Sequence, residues 1–244
     1  MEDEMALILG HRGANKRAPQ NTIPAFKAAI EHGADGVEFD VQMSSDGVLV
    51  VCHNFTINET SNGAGAICDL TFEELRVFDF GAWFAPEFAG TKIPTLKETL
   101  ETVKDMKCIN VEIKKPPVKK REVVEKTVAM VKEFGLEEKV IFSSFDFEVT
   151  DIIKDIDPSL KVGLLYDPLP EDLYDKRLLL GEYVKVAEEH NADALHPHVK
   201  LTGAIYNKKC HKNDIAVNVW GVKNDLELEK AKLLDYDIII TDVI

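Results

Sequence analysis

Closely spaced cysteines are missing from this sequence. Its four cysteines, Cys52, Cys68, Cys108 and Cys210, lie far apart and form no Cys-x-x-Cys pair. Zinc ribbons and disulfide frameworks depend on such spacings, so we expect neither. The apolar or mixed neighbours of most of these cysteines are typical of reduced, buried thiols.

A long apolar run is missing as well. No stretch approaches the roughly 18 apolar residues of a membrane span. Residues 1–4 are acidic, and the apolar run behind them covers only residues 5–9. A secretory signal peptide has a basic start and a longer apolar core. We therefore expect a soluble, cytoplasmic protein without stable insertion into a membrane.

Positive charge is in short supply. The chain has 43 acidic against 29 basic residues and a formal net charge of -14. Such a surface repels the phosphates of nucleic acids and of anionic membranes, which argues against both as main partners. The same charge also suits solubility alone. We expect a small-molecule ligand and no nucleic acid.

What the sequence does contain is an alternation of short apolar runs and helical patterns. The predicted strands are residues 6–9, 36–41, 108–113, 140–143, 162–166, 194–196, 216–220 and 238–240, with an additional hairpin strand at 48–53. The predicted helices are residues 21–33, 123–134, 148–156, 182–190, 205–212 and 226–233, with two more that begin at residues 71 and 94. Residues 167–177 are acidic and contain proline, which predicts a loop.

This alternation decides between two fold classes. About eight strands that are each followed by a helix are the number that closes a parallel barrel. A doubly wound open sheet fits less well, because it commonly has fewer strands and a glycine-rich phosphate loop after the first one. Residues 10–13 lack the spacing of that loop. We predict an α/β fold of the TIM (β/α)8 barrel type.

The hairpin at residues 36–53 carries the most unusual chemistry. Glu38 and Asp40 lie two apart on a strand that otherwise looks buried, so both side chains point to one face. Buried carboxylates repel each other and are costly to desolvate, which predicts a positive partner such as a divalent metal ion. A structural salt bridge is the competing interpretation of the pair alone. The Asp-Gly turn at residues 46–47 then returns His53 to the carboxylate end.

Other polar residues fall at the carboxyl ends of predicted strands, where barrel active sites are built. They are His11, Arg12, Glu112, Lys114, His196 and Trp220. Glu112 and Lys114 repeat the spacing of the first carboxylate pair, so the glutamate can complete a metal site while the lysine neutralises a phosphate. Trp220 by itself is also typical of a core residue.

The residue types at the predicted site indicate which metal ion it binds and which side chains transfer protons. Carboxylate oxygens without cysteine favour a hard ion, Mg²⁺, Ca²⁺ or Mn²⁺, over zinc. Two histidines near such a site suit general base and general acid, because their ordinary pKa of about 6.5 serves both roles. The convergence of these residues favours a catalytic site.

Short motifs occur in order along the whole chain. They are residues 11–13, 19–22, 33–41, 46–47, 50–53, 60–63, 93–96, 110–114, 143–145 and 240–242. This set resembles the signature of the glycerophosphodiester phosphodiesterase family. The resemblance implies a single barrel domain over residues 1–244, with a small insertion at residues 54–107 between the second and third barrel strands.

The resemblance also implies a reaction and a role for each site residue. The implied metal ligands are Glu38, Asp40 and Glu112, the acid–base pair is His11 and His53, the phosphate is held by Arg12 and Lys114, and Trp220 lines the glycerol side. The implied enzyme uses one divalent metal ion to hydrolyse glycerophosphodiesters, the deacylated phospholipids, to sn-glycerol 3-phosphate and an alcohol. A cyclic phosphate formed by the neighbouring glycerol hydroxyl is the implied intermediate, since intramolecular attack gains from proximity.

Three features depart from the family pattern. Gln20 stands where glutamate is usual, and Asn54 follows His53 where aspartate is usual, which changes the setting of that histidine. The sequence also stops just past the last predicted strand, so we expect a homodimer partner or a rearranged terminus to cover the barrel there.

Two other functions compete with this one. A phospholipase-type barrel that acts on lysophospholipids or sphingomyelin would carry apolar membrane-contacting loops, and only residues 178–180 hint at one. A catalytically silent barrel would merely bind phosphodiesters or a partner. The presence of both histidines and all three carboxylates argues against a silent barrel.

Overall fold

The computed structural model describes residues 5–115, 119–167 and 181–244, and within them the chain forms nine strands and eight α-helices. The strands are β1 (Leu7–His11), β2 (Gly36–Met43), β3 (Leu49–Val51), β4 (Cys108–Ile113), β5 (Val140–Ser144), β6 (Lys161–Tyr166), β7 (Ala194–Pro197), β8 (Ala216–Val222) and β9 (Ile238–Thr241). The helices are α1 (Ile23–Glu31), α2 (Phe72–Val77), α3 (Leu96–Val103), α4 (Lys120–Glu133), α5 (Phe147–Ile156), α6 (Tyr183–Glu189), α7 (Ala204–His211) and α8 (Asp225–Lys232). None of these helices is both long and apolar enough to cross a membrane.

Eight of the described strands close a parallel barrel, and the predicted fold class is confirmed. The first strand, β1, pairs in parallel with both β2 and β9, and the remaining barrel strands run from β2 through β4 to β9 in chain order. The ninth strand, β3, pairs antiparallel with the end of β2, where Val41 lies opposite Val51. This pairing is the predicted hairpin, and it stands on the rim of the barrel.

Side-chain caps begin four of the described helices, α1, α2, α3 and α8. Thr22 caps α1 by accepting the backbone N–H of Ala25 with its side chain. Thr71 and Thr95 begin α2 and α3 with reciprocal capping boxes, in which a glutamate three residues on returns a hydrogen bond. The prediction for α4 began three residues late, because its first turn at Lys120 is charged and shows no apolar periodicity.

The outward faces of the strands and the inner faces of the helices form the main core. On β2 this face consists of Val37, Phe39 and Val41, and α1 packs Phe26 against it. Burying each such side chain stabilises the fold by about 1.5–3 kcal/mol. The opposite face of β2 is therefore the one turned into the barrel, and Glu38 and Asp40 lie on it.

A second, smaller core lies beside the rim. It is formed by Val50, Cys52, Ile57, Ile67, Leu75, Phe80 and Ile93. Helix α3 lies within the predicted insertion, residues 54–107, but packs with the helices of the outer ring, since Leu96 and Leu100 join the main core. The small core is formed before α3, and it holds β3 and the chain that follows it in place.

One predicted feature lies outside the described residues, and another falls elsewhere than expected. Residues 178–180, the hint of a membrane-contacting loop, lie outside the described residues. His196, a candidate at a strand end, is completely buried inside the barrel, where Asn218 Nδ2 lies 2.8 Å from its Nε2. Its ring occupies space that only a glycine opposite leaves free, because a Cβ on Gly163 would lie 2.2 Å from Nε2.

Burial lowers the pKa of His196 to about 3, so the folded chain keeps this imidazole neutral. The unfolded chain binds a proton there below about pH 6.5. Between these two values the unfolded state therefore holds one more proton, and stability falls as the pH falls.

We expect His196→Gln to remove this pH dependence. The difference in free energy of unfolding between wild type and variant should shrink by about 1.4 kcal/mol per pH unit below about pH 6.5. Urea unfolding of both proteins at neutral and at mildly acidic pH measures it. Parallel stability curves would show that His196 is not held neutral.

Candidate active site

Three carboxylates from two neighbouring strands meet in the mouth of the barrel. Glu38 and Asp40 come from β2 and Glu112 from β4, and the strand register sets Asp40 directly beside Glu112. One oxygen of each lies within 4.8 Å of the others, and all three residues are buried. The predicted cluster of Glu38, Asp40 and Glu112 therefore exists as a buried acidic triad.

The loop between β1 and α1 folds over this triad. Arg12 and Asn21 both have positive φ angles, 56° and 57°, which turn the loop sharply at each end. The backbone N–H of Arg12 donates to Glu38 Oε2 at 2.9 Å, and Asn21 Nδ2 donates to Asp40 Oδ2 at 2.8 Å. Two of the three carboxylates are thus fixed by the loop that follows the first strand.

Two cationic side chains flank the triad. Lys114 Nζ lies 2.7 Å from Glu112 Oε1 and 3.4 Å from Asp40 Oδ1. Arg12 Nε lies 3.5 Å from Asp40 Oδ2, while its Nη1 donates to Gln20 Oε1 at 2.7 Å. Gln20, the first departure from the family pattern, thus keeps a hydrogen bond to the arginine.

The triad carboxylates titrate unequally. Burial, together with the charges of Asp40 and Glu112, raises the pKa of Glu38 well above its usual value. Burial also raises the pKa of Glu112. For Asp40 the effect of burial is outweighed by Lys114, His53 and Arg12, which hold its pKa well below the usual range. The positive charge near Glu38 is therefore too small to offset the effects of burial and of the two neighbouring carboxylates on its pKa.

These features fit a metal ion. Asp40 Oδ1 is buried and accepts no hydrogen bond from the described residues. Buried oxygen donors without sulfur are the ligands of hard divalent cations. The triad can therefore bind a metal ion, which would neutralise the carboxylate that Lys114 and Arg12 leave uncompensated.

The two predicted catalytic histidines are held at the same ring nitrogen by different groups. His11 Nδ1 lies 2.6 Å from Asp242 Oδ1, an oxygen that also accepts a hydrogen bond from Asn15. His53 Nδ1 lies 2.7 Å from Asn54 Oδ1. Each contact leaves Nε2 as the remaining ring nitrogen. Burial lowers the pKa of His53 to about 4, so the ring is neutral near pH 7.

A cavity of about 110 Å³ joins these groups. Its polar lining includes His11, Arg12, Glu38, His53, Asn110 and Glu112, and its apolar lining is Phe145, Leu165, Trp220 and Ile240. Trp220 stands edge-on to Phe145, with ring centres 5.9 Å apart, and donates from Nε1 to the carbonyl of His196 at 3.0 Å. Of the predicted site residues outside this lining, Asp40 and Lys114 contact it with their side chains, whereas His196 contacts it through its backbone carbonyl only.

The structure adds residues that the sequence reasoning did not assign. Asp242 follows the last strand and holds His11. Gln42 is next on the face of β2 that carries Glu38 and Asp40, and its amide donates to the carbonyls of Cys52 and Asn54, each at 2.8 Å. The strand-end rule could have indicated Asp242, and the two-residue spacing could have indicated Gln42.

Comparison with known proteins identifies the family of the chain. A family model described as the glycerophosphoryl diester phosphodiesterase family matches residues 11–244. The glycerophosphodiester phosphodiesterase of Caldanaerobacter subterraneus subsp. tengcongensis is 39% identical over 97% of this chain and 93% of its own.

Solved structures show the same barrel. The glycerophosphodiester phosphodiesterase of Thermotoga maritima has a TM-score of 0.76 and 31% identity, covering 97% of this chain and 94% of its own. An Oleispira antarctica phosphodiesterase in complex with the product sn-glycerol-3-phosphate has a TM-score of 0.86 at 24% identity, covering 98% and 93%. The chain described here belongs to the glycerophosphoryl diester phosphodiesterase family.

Proposed function

We propose that this phosphodiesterase hydrolyses glycerophosphodiesters to sn-glycerol 3-phosphate and an alcohol, with one divalent metal ion and with His11 and His53 as the acid–base pair. The observation that carries the proposal is the buried triad of Glu38, Asp40 and Glu112. It opens into the cavity that both histidines line. The product complex of the Oleispira antarctica relative adds support for the product class.

The charges suit a phosphodiester. Three carboxylates with Arg12 and Lys114 leave one uncompensated negative charge, and a divalent cation reverses its sign. The resulting single positive charge matches the single negative charge of a diester. Arg12 lines the cavity, and its Nε makes no hydrogen bond with the described residues although it lies 3.5 Å from Asp40 Oδ2, so the guanidinium can donate to a phosphoryl oxygen.

A bound Mg²⁺, Ca²⁺ or Mn²⁺ would act as a Lewis acid that offsets charge on the phosphoryl oxygens. Glu38, Asp40 and Glu112 would hold it. The ammonium of Lys114 opposes the effect of burial on the pKa of Glu112 and lowers the pKa of Asp40, and these two neighbours in turn raise the pKa of the ammonium above its usual range despite its burial.

The histidines move the protons. One Nε2 takes a proton from the attacking hydroxyl of the glycerol, and the other Nε2 gives a proton to the departing alkoxide. Opening of the cyclic phosphate by water reverses the two roles. Asp242 keeps His11 in the tautomer and orientation that this exchange needs, as the aspartate of a catalytic triad does. Trp220 forms an apolar wall for the glycerol.

Several features stay predictions from the sequence. They are the cytoplasmic location, the homodimer, the exact extent of the insertion and the choice among the three metal ions. The head group of the substrate leaves with the alcohol, on the solvent side of the cavity. A turnover panel of glycerophosphodiesters with each metal therefore tests the substrate and metal choices together.

Metal removal is the first test. We expect hydrolysis of glycerophosphocholine or glycerophosphoethanolamine with Mg²⁺, Ca²⁺ or Mn²⁺, and no turnover in EDTA, because the triad then lacks its cation. Release of sn-glycerol 3-phosphate measures the activity, and readdition of metal is the control. Undiminished turnover in EDTA would disprove the metal requirement.

Removal of either histidine is the second test. His11→Ala and His53→Ala should each lower kcat by about two orders of magnitude or more, which is the usual contribution of acid–base groups. His32→Ala, an exposed histidine at the end of α1, is the matched control and should leave kcat unchanged. A fully active His53→Ala variant would remove that residue from the mechanism.

The third test separates metal binding from folding. Glu38→Gln keeps an oxygen that can accept the Arg12 N–H but removes a buried, repelled charge. We expect the metal-free variant to melt at a higher temperature than metal-free wild type, by about 2–4 °C for each kcal/mol of relieved repulsion. Metal should then raise the Tm of wild type and of the exposed control Glu73→Gln, and not that of Glu38→Gln. A metal-dependent rise in Tm for Glu38→Gln as large as that of wild type would exclude Glu38 as a required ligand.

A further inference from the structure

The side-chain amide of Asn54 can turn either its oxygen or its nitrogen towards His53, whereas an aspartate would present an oxygen in both orientations. A carboxylate accepts hydrogen bonds at both oxygens, whereas an amide accepts at one end and donates at the other. The amide end that meets Nδ1 of His53 therefore decides which nitrogen of the neutral ring carries the proton. Only a proton on Nδ1 leaves Nε2 free to accept one from the substrate.

Glu59 determines which of these two orientations the amide of Asn54 adopts. Its Oε2 contacts Asn54 Nδ2, while Asn54 Oδ1 lies 2.7 Å from His53 Nδ1. An ionised carboxylate accepts hydrogen bonds and donates none, so the amide nitrogen of Asn54 has to face Glu59. The amide oxygen then faces the ring and requires the proton on Nδ1.

The surrounding chain holds this arrangement in register. Gln42 Nε2 donates to the backbone carbonyls of Cys52, His53 and Asn54 at 2.8, 3.3 and 2.8 Å. Ile57, two residues before Glu59, is completely buried in the small core beside the rim. Glu59 itself is exposed and lines a neighbouring depression with His53, Asn54 and Lys114, outside the mouth cavity, and its hydrogen bond towards the site is the one from Asn54.

We propose that Glu59 is a positioning residue for His53, acting through Asn54 to fix the ring in the tautomer with the proton on Nδ1. This inference rests on the proposed catalytic role of His53. His53, Asn54 and Glu59 then form a chain of hydrogen bonds that does for His53 what Asp242 does for His11. Each histidine thus has a supporting carboxylate. Asp242 contacts His11 directly, whereas Glu59 reaches His53 through Asn54.

Reversing the charge at position 59 is the decisive change. In Glu59→Lys an ammonium, which only donates, faces Asn54 and turns its amide round, so that the amide nitrogen meets Nδ1. The ring then carries its proton on Nε2. We expect kcat to fall about 10- to 100-fold, the usual range for groups that orient a functional side chain from outside.

A second substitution should restore activity. In the double variant Asn54→Asp/Glu59→Lys, a carboxylate lies between the imidazole and the ammonium and accepts from both, so the proton returns to Nδ1. We expect most of the lost kcat to return, with a pH profile shifted to higher pH because a charged carboxylate now touches His53. Glu73→Lys, the same charge change at an exposed residue of α2, is the matched control and should behave as wild type.

Nitrogen NMR of ¹⁵N-histidine-labelled protein reads the tautomer directly and without turnover. The His53 signals, identified by their loss in His53→Ala, should show protonated Nδ1 in wild type and in the double variant, and protonated Nε2 in Glu59→Lys. A Tm rise with Ca²⁺ equal to that of wild type checks that the triad is intact in each variant.

Turnover and NMR test the catalytic role of His53 and the positioning role of Glu59 separately. If His53→Ala is fully active, the catalytic role fails while the NMR signals still test the positioning by Glu59. If Glu59→Lys keeps the wild-type tautomer, the positioning role is wrong, whatever happens to kcat. A kcat loss in Glu59→Lys that the double variant does not recover would also overturn it.

Discussion

Repulsion between three buried carboxylates is the constraint around which the barrel mouth is built. Two unit charges about 4 Å apart interact by about 4 kcal/mol at the effective dielectric of a protein, whereas a typical hydrogen bond contributes only about 1 kcal/mol. Hydrogen bonds from Asn21 and from the backbone of Arg12 can orient Asp40 and Glu38 but cannot offset such repulsion. Full charges are needed, and Lys114 and Arg12 supply two of them. The triad can therefore accept a third cation, the metal ion proposed above.

The same constraint explains the conformation of the loop after β1. A non-glycine residue with a positive φ costs about 1–2 kcal/mol, less for asparagine, and this loop contains two such residues in contact with the acidic triad, Arg12 and Asn21. The sharp turns bring a backbone N–H to Glu38 and a side-chain amide to Asp40 in the same short segment. The strained backbone of this loop thus orients two of the acidic side chains.

The sequence predicted the barrel and the composition of its mouth because both follow from local periodicity. Strand spacing fixes which side chains share a face, so Glu38, Asp40 and Glu112 could be placed together from their positions alone. The burial of His196 inside the barrel could not be predicted from strand spacing. A histidine at a strand end points either into the mouth or into the barrel interior, and a distant residue, Gly163, makes the room for its ring. The contact between Asn54 and Glu59 escaped prediction because it depends on the path of an irregular loop.

Strand β2 has a consequence for how this chain can vary in length. Its odd-numbered residues, Val37, Phe39 and Val41, are packed into the core, while the even-numbered Glu38, Asp40 and Gln42 carry the site and anchor the segment that bears His53. Loss or gain of one residue within this strand would exchange the two faces and put carboxylates into the core. Insertions and deletions are thus excluded from residues 36–43. Changes of length beyond the rim, in the loops around the small core, would leave the order of the barrel strands unchanged.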